Sequence, residues 1–260
     1  MTLQVGLPSL PSPRDPAYFN IIKLWLKDCD RSHKRCQGST AIRLPTRLID
    51  VGTTDDEVIR LYATTSEDHD SFKKGERKHR YLALSHPWGD PKKHSPFCTW
   101  PSDKDDFMSN IPFEKLPRNF QNAIIATRAL EIRYLWIDSL CIIQGPDGDF
   151  NEEARHMETV FSSAYCVLAA SRATGQRDGF LAERRERKFV SLGRRPDDTL
   201  HVCEAIDNFK RDVVEAAMNT RGWVLQERAL ARRTIYFTGS QNYFECGEGI
   251  RCETLGKLKQ

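Results

Sequence analysis

Tyr81-Leu82-Ala83-Leu84-Ser85 is a short apolar run that stops abruptly at His86-Pro87-Trp88-Gly89-Asp90, a polar and aromatic turn. Such a run reads as a strand with a loop at its carboxyl end. Beyond a long Pro-rich connection, Leu116-Pro117-Arg118-Asn119 leads into a helix on which Phe120, Ile124, Thr127 and Leu130 align. Tyr134 to Ile143 reads as a second strand, buried on both faces and broken by Asp138-Ser139. After the turn-rich loop 144–149, Asp149 or Asn151 caps a helix through residue 164, with Ala154, Met157, Val160, Phe161 and Ala164 facing inward. Tyr165 to Ser171 is a third strand. Strand, helix, strand, helix, strand with connections of this length predicts an α/β fold, a parallel sheet flanked by helices with right-handed crossovers.

The chain on either side fits around that unit. Residues 1–14, rich in Pro and Ser, read as a flexible lead-in, and residues 15–260 as one domain. Asp15-Pro16 has the form of an N-cap followed by proline in the first turn, and Tyr18, Ile22, Trp25 and Cys29 continue at helical spacing. Residues 43–64 predict a peripheral β-hairpin from Arg47–Val51 and Val58–Tyr62, and Ser66 to Arg80 an exposed loop. Residues 172–219 read as an insertion with strands at Phe189–Leu192 and Leu200–Cys203 and a helix around Val213–Met218. A helix from about Trp223 to Leu230 follows, then strands at Thr234–Thr238 and Gln241–Cys246.

Composition narrows the class. With 260 residues, 39% hydrophobic and 29% charged, the chain can bury a proper core, and the net charge of +3 comes from interleaved acids and bases such as Glu183-Arg184-Arg185-Glu186-Arg187-Lys188. Nothing in that pattern asks for nucleic acid. The apolar runs are too short to span a bilayer and the N-terminus lacks a signal-peptide pattern, which predicts a cytoplasmic protein with no membrane partner. The eight cysteines are expected to be reduced thiols, since Cys141 and Cys166 fall in buried segments and a chain this size needs no staples. The spacing Cys29-x3-His33-x2-Cys36 invites a zinc reading, but a structural site needs four ligands and Cys246 and Cys252 lie roughly 210 residues away. No metal is expected.

In a doubly wound sheet, ligands bind beyond the carboxyl ends of the parallel strands. Those ends carry Ser85, His86 and Trp88, then Asp138 and Ser139, then Arg172 after the third strand: hydroxyls, an imidazole, an indole platform, a carboxylate and a guanidinium. Taken singly, Trp88 is a core or lid residue, His86 a turn residue and Asp138 a loop cap; their joint position makes them a candidate site. A further oddity is Glu227, which a helix would place on one face with Trp223 and Leu230. It is either the partner of Arg221, Arg228, Arg232 or Arg233, or a carboxylate facing a cleft. The glycines form neither a Gly-x-Gly-x-x-Gly turn nor a phosphate loop, and no Gly-x-Ser-x-Gly elbow exists.

Three blocks together, Tyr81–Gly89 (YLALSHPWG), Tyr134–Ala164 (YLWIDSLCIIQGPDGDFNEEARHMETVFSSA) and Arg221–Cys246 (RGWVLQERALARRTIYFTGSQNYFEC), resemble the signature blocks of the heterokaryon incompatibility, or HET, domain of filamentous fungi. His86-Pro87 departs from the family, which usually has an aromatic residue or Thr followed by Cys there. The resemblance implies a cell-death trigger in non-self recognition, usually fused to other domains, that self-associates and answers to an activating domain or partner protein. The family is also distantly similar to TIR domains, which have a flavodoxin-like fold and in some members cleave NAD. On that similarity Trp223-x3-Glu227 matches the TIR pattern Trp-Cys-x-x-Glu, with Val224 in place of the cysteine, and Glu227 is implied as the catalytic carboxylate. Trp88 or Trp223 would stack on a base and Arg221 or Arg172 would meet the pyrophosphate, with NAD as substrate and no cofactor. The rival expectation is a non-enzymatic module that kills by self-assembly.

Overall fold

The structure, a computed structural model, describes residues 9–36, 43–53, 58–73, 80–193, 200–216, 218, 227–254 and 257–258. Asp15 accepts a hydrogen bond from Ala17 N at 2.8 Å and Pro16 occupies the first turn, so helix α1 (Pro16–Ser32) starts where the cap signal placed it. Strands β1 (Arg47–Asp50) and β2 (Arg60–Ala63) form the predicted antiparallel hairpin. It extends the main sheet, because β1 also pairs antiparallel with β4 (Tyr134–Trp136).

The first part of the expected loop Ser66 to Arg80 is instead helix α2, Ser66–Lys73, and residues 74–79 lie outside the described residues. The cause is a capping box: Thr65 Oγ1 accepts from Asp68 N at 3.2 Å while the Asp68 carboxylate accepts from Thr65 N at 2.8 Å. Phe72 then packs on Tyr81.

Strand β3 (Tyr81–Ser85) is followed by α3 (Lys104–Ser109), α4 (Arg118–Ala129) and β4. The second strand is shorter than expected, as it ends at Trp136 and Asp138–Cys141 makes one helical turn, α5. Asp138 accepts from Ser139 N at 2.7 Å, and Arg47 Nε holds the Cys141 carbonyl at 2.7 Å, so tertiary contacts override the apolar run. The helix expected through residue 164 is split into α6 (Phe150–Glu153), a 3-10 turn at Ala154–His156 and α7 (Met157–Ser163). Asp149 is the N-cap of α6, its carbonyl accepting from Glu153 N at 3.0 Å, but its side chain makes no cap bond there; the carboxylate accepts from Ile143 N at 2.9 Å and pairs with Arg47.

Strands β5 (Cys166–Ala169), β6 (Phe189–Leu192), β7 (Leu200–Cys203) and β9 (Asn242–Cys246) fall inside the predicted runs, β8 (Arg233–Phe237) is shifted one residue toward the N-terminus of its run, and β10 (Gly249–Cys252) and β11 (Lys257–Leu258) add an antiparallel edge. β6 and β7 form a sheet of their own, and the helical turn expected around Val213–Met218 lies instead at Lys210–Val214.

The main sheet has the order β11-β10-β9-β8-β5-β3-β4-β1-β2, with β4, β3, β5 and β8 parallel. Counting the parallel strands in chain order gives 2-1-3-4, a doubly wound arrangement whose direction of winding reverses between β3 and β5. Alternation puts Leu82, Leu84, Leu135, Leu168, Ile235 and Phe244 on one face, under α1 and α4, where Trp25 stacks on Phe244 at 6.1 Å. The other face carries Tyr81, Ser85, Trp136, Ala169 and Tyr236, covered by α7 and by a second cluster with Phe209, Val213 and Met218. Ser85 and Ala169, paired in register at the carboxyl ends of β3 and β5, stand at the reversal point on this second face.

Candidate functional site at the strand reversal

Ser85 ends β3, so its hydroxyl points off the apolar part of the sheet toward the segment that leads into β8. Residues 227–230 there are helical, with Ala231 N bonded to the Glu227 carbonyl at 3.1 Å. The Ser85 hydroxyl donates to Glu227 Oε2. Glu227 is half-buried over Ala169, Thr234 and Tyr236, on the face closed by Met218. Three of the four arginines expected near it also have other partners. Arg228 forks onto Glu245 at 3.0 and 2.9 Å, Arg233 pairs with Asp30 at 2.8 Å, and Arg232 reaches the Ser163 carbonyl at 3.5 Å. Arg221 and Trp223 lie outside the described residues.

A second group forms one residue on, across the sheet edge. His86 turns to the α4 side, where its buried ring meets Phe120 edge-on at 5.0 Å and its Nδ1 lies 3.8 Å from Asp138 Oδ1. Trp88 Nε1 donates to Asp138 Oδ2 at 2.7 Å, so the indole is anchored by its polar end. Ser139 is fully buried. Arg172 Nη1 donates to the Ala182 carbonyl at 2.9 Å, tying the guanidinium to the following loop. The structure thus joins Ser85 with Glu227, and His86 and Trp88 with Asp138.

Trp88 also lines a cleft of about 390 Å³ between residues 88–95 and 174–178, at the carboxyl ends of β3 and β5, with Lys93, His94 and Arg177 in its walls. The two walls meet where Gly89, at φ +91°, faces Gly175; a Cβ on either would stand 3.2 Å from the other's Cα. That volume is within the range of small-ligand sites. Lys93 and Arg177 were not singled out in the sequence, because the loops carrying them meet only in the fold. The cavity beside Glu227 itself, lined by Ser85, Val167, Ala169, Met218, Arg228, Thr234 and Tyr236, is about 10 Å³, room for one water. A larger cleft of about 600 Å³ between residues 9–12, 183–187 and 204–206 contains none of the predicted site residues.

On the opposite face, Cys29, His33, Cys36 and Cys246 converge, all buried, with their ligand atoms within 4.8 Å of one another. The expectation of no metal rested on the lack of a nearby fourth ligand, and Cys246 removes that ground. Cys246 Sγ lies 3.4 Å from His33 Nδ1, and the neighbouring Cys29 thiol, ahead of the imidazole, holds the Cys246 thiol below its ordinary value against the effect of burial, while Cys29 is pushed up. Cys141 and Cys166 are inert by comparison, since burial pushes each thiol up to about 12. All eight cysteines are free thiols.

No helix among the described residues is long and apolar enough to cross a membrane. Curated proteins and solved structures gave no match to the chain. The family model for heterokaryon incompatibility protein (HET) matches residues 81–227, from the first residue of β3 to the carboxylate that Ser85 holds. That span is more than half of the chain and contains both the β3–β5 reversal and the Trp88 cleft, so the chain belongs to the HET family, whose membership supports a role in heterokaryon incompatibility.

Proposed function

We propose that the chain is a cell-death effector domain acting by hydrolysis of NAD at the nicotinamide–ribose bond, as some TIR domains do. The observation that carries this reading is the Ser85–Glu227 pair at the reversal point of a doubly wound sheet, where such folds bind ligands. The C1′–N bond breaks with its electron pair leaving on neutral nicotinamide, so no strong general acid is needed. Glu227 faces the ribose, accepts hydrogen bonds from its hydroxyls and balances the oxocarbenium charge. Water adds at C1′ and loses a proton, giving ADP-ribose. Ser85 orients the carboxylate, and Trp88 offers a face on which a base stacks, with Lys93 and Arg177 near enough to the same cleft to meet phosphates.

The cavity of about 10 Å³ beside Glu227 admits water and no nucleotide. The enzymatic reading therefore takes this as a closed state, opened by self-association through an activating domain or partner. The same observation favours a second reading, a non-enzymatic module in which Ser85–Glu227 is a structural bond. The two separate on one experiment: the chain is artificially clustered and incubated with NAD, and nicotinamide and ADP-ribose are followed chromatographically beside a clustered Glu227→Gln variant. Product from wild type alone supports hydrolysis; no product from either supports the assembly reading.

A further inference from the structure

We propose that Cys29, His33, Cys36 and Cys246 form a structural zinc site that ties the end of α1 to the outer strands of the sheet. Cys29 and His33 are four residues apart at the end of α1, so they share one face of the helix. The 3-10 turn Lys34–Cys36, closed by Cys36 N to the His33 carbonyl at 3.0 Å, folds Cys36 back beside them. Cys246, the last residue of β9, supplies the fourth position from the far end of the chain, with its sulfur 3.4 Å from His33 Nδ1. A tetrahedral zinc with bonds of about 2.0–2.3 Å places its ligand atoms roughly 3.5–3.8 Å apart. Four ligand atoms within 4.8 Å of one another close to that geometry by small rotamer adjustments. Three sulfurs and one imidazole is a zinc donor set, and four protein ligands leave no open position for chemistry.

The surroundings fit a metal thiolate better than a set of neutral thiols. Zn²⁺ with three thiolates and a neutral imidazole carries one net negative charge. Two cations border it: Arg233 Nε lies 3.2 Å from Cys29 Sγ while its Nη2 holds the Cys36 carbonyl at 3.2 Å, and Arg251 Nη2 lies 3.3 Å from His33 Nε2. Gly247 leaves the turn close to Cys36, whose Sγ would stand 3.4 Å from a Cβ there. Such outer contacts orient and neutralise metal-bound sulfur.

Each of the three cysteines still protonated gives its proton to solvent as a Zn–S bond forms. His33 binds through Nδ1, its single ring proton moves to Nε2, and Arg251 turns fully to Asp28, with which it already pairs at 2.5 Å. No electron is transferred. The site lies on the sheet face opposite Glu227, outside the span matched by the family model, and does not depend on the NAD reading.

The test is elemental analysis of the full 260-residue chain, purified under reducing conditions after zinc-supplemented expression, beside Cys246→Ser and the control Cys203→Ser, a cysteine of the outlying hairpin. The expected result is stoichiometric zinc in wild type and in Cys203→Ser and at least a tenfold loss in Cys246→Ser. If Cys246→Ser does not fold, cobalt substitution of the wild type decides: tetrahedral ligand-field bands with thiolate charge transfer support the site, and octahedral spectra contradict it. Wild type that neither carries nor takes up zinc, zinc retained in folded Cys246→Ser, iron in place of zinc, or a disulfide among Cys29, Cys36 and Cys246 in freshly prepared protein would each overturn the proposal.

Discussion

The hydroxyl of Ser85, at the carboxyl end of β3, donates to the carboxylate of Glu227, 142 residues later and just ahead of β8. This bond joins the first and last parallel strands' loops at the point where the sheet reverses. Ser85→Ala removes it while leaving a methyl-sized side chain in place. A hydrogen bond to a charged group is worth about 1.5–3 kcal/mol, so NAD turnover by the clustered protein should fall roughly tenfold or more. Steady-state rates beside a thermal melt check this; an unchanged rate in folded protein would remove Ser85 from the site.

Arg228 belongs to the scaffold. Its guanidinium forks onto Glu245, which also accepts from Tyr236 OH at 2.5 Å, and it lies over the Phe209 ring at 5.4 Å. Arg228→Leu should cost about 2 kcal/mol, below the range for fully buried pairs because both partners keep some solvent contact. A shift in the urea midpoint reads this. Loss of activity with no loss of stability would instead make Arg228 the partner of Glu227.

Trp88 separates anchoring from stacking. Trp88→Phe gives up the bond from Nε1 to Asp138 but keeps an aromatic face toward the cleft. Stability should fall by about 1 kcal/mol. NAD turnover should survive in Trp88→Phe and drop a further tenfold or so in Trp88→Ala, since base stacking is worth roughly 1–3 kcal/mol. Equal activity in the two variants would contradict a stacking role.

Asp50 gives the fold a defined acid limit. Burial pushes its pKa up, but the fork from Arg133 at 2.9 and 2.8 Å, the backbone N–H of Gly52 and the charge of Arg60 outweigh that and hold it below the ordinary value. A carboxyl depressed in the folded state contributes stability above its unfolded pKa of about 3.9, and that contribution is lost as pH falls through the folded value. Wild type should therefore lose stability below about pH 4, and Asp50→Asn should be less stable at pH 7 with a flatter acid limb. Denaturant midpoints at pH 7, 5 and 3 check the difference; parallel curves would refute it.

Much of the frame was legible because it is written in local pattern. Tyr81–Ser85 and Cys166–Ala169 are apolar runs with clear ends, and Asp15-Pro16 is a start signal that nothing overrides. The capping box of Thr65 and Asp68 was equally local, but the charge of Ser66 to Arg80 masked it. Other features depended on distant partners. The break after Trp136 is held by Arg47 and Trp88, the Lys93–Arg177 cleft by two loops that meet at Gly89 and Gly175, and the cysteine cluster by Cys246, which the sheet brings to α1. Glu227 stood out as a carboxylate on an apolar face, while its tie to Ser85 required the strand order.

The most direct test of the central claim measures NAD and viability in the same cells after induced clustering of the wild-type chain, with Glu227→Gln expressed at equal level. Hydrolysis at Glu227 predicts that NAD falls before viability does, and that folded Glu227→Gln spares both. Cells that die with NAD and NADP intact, or that die equally with Glu227→Gln, would contradict it.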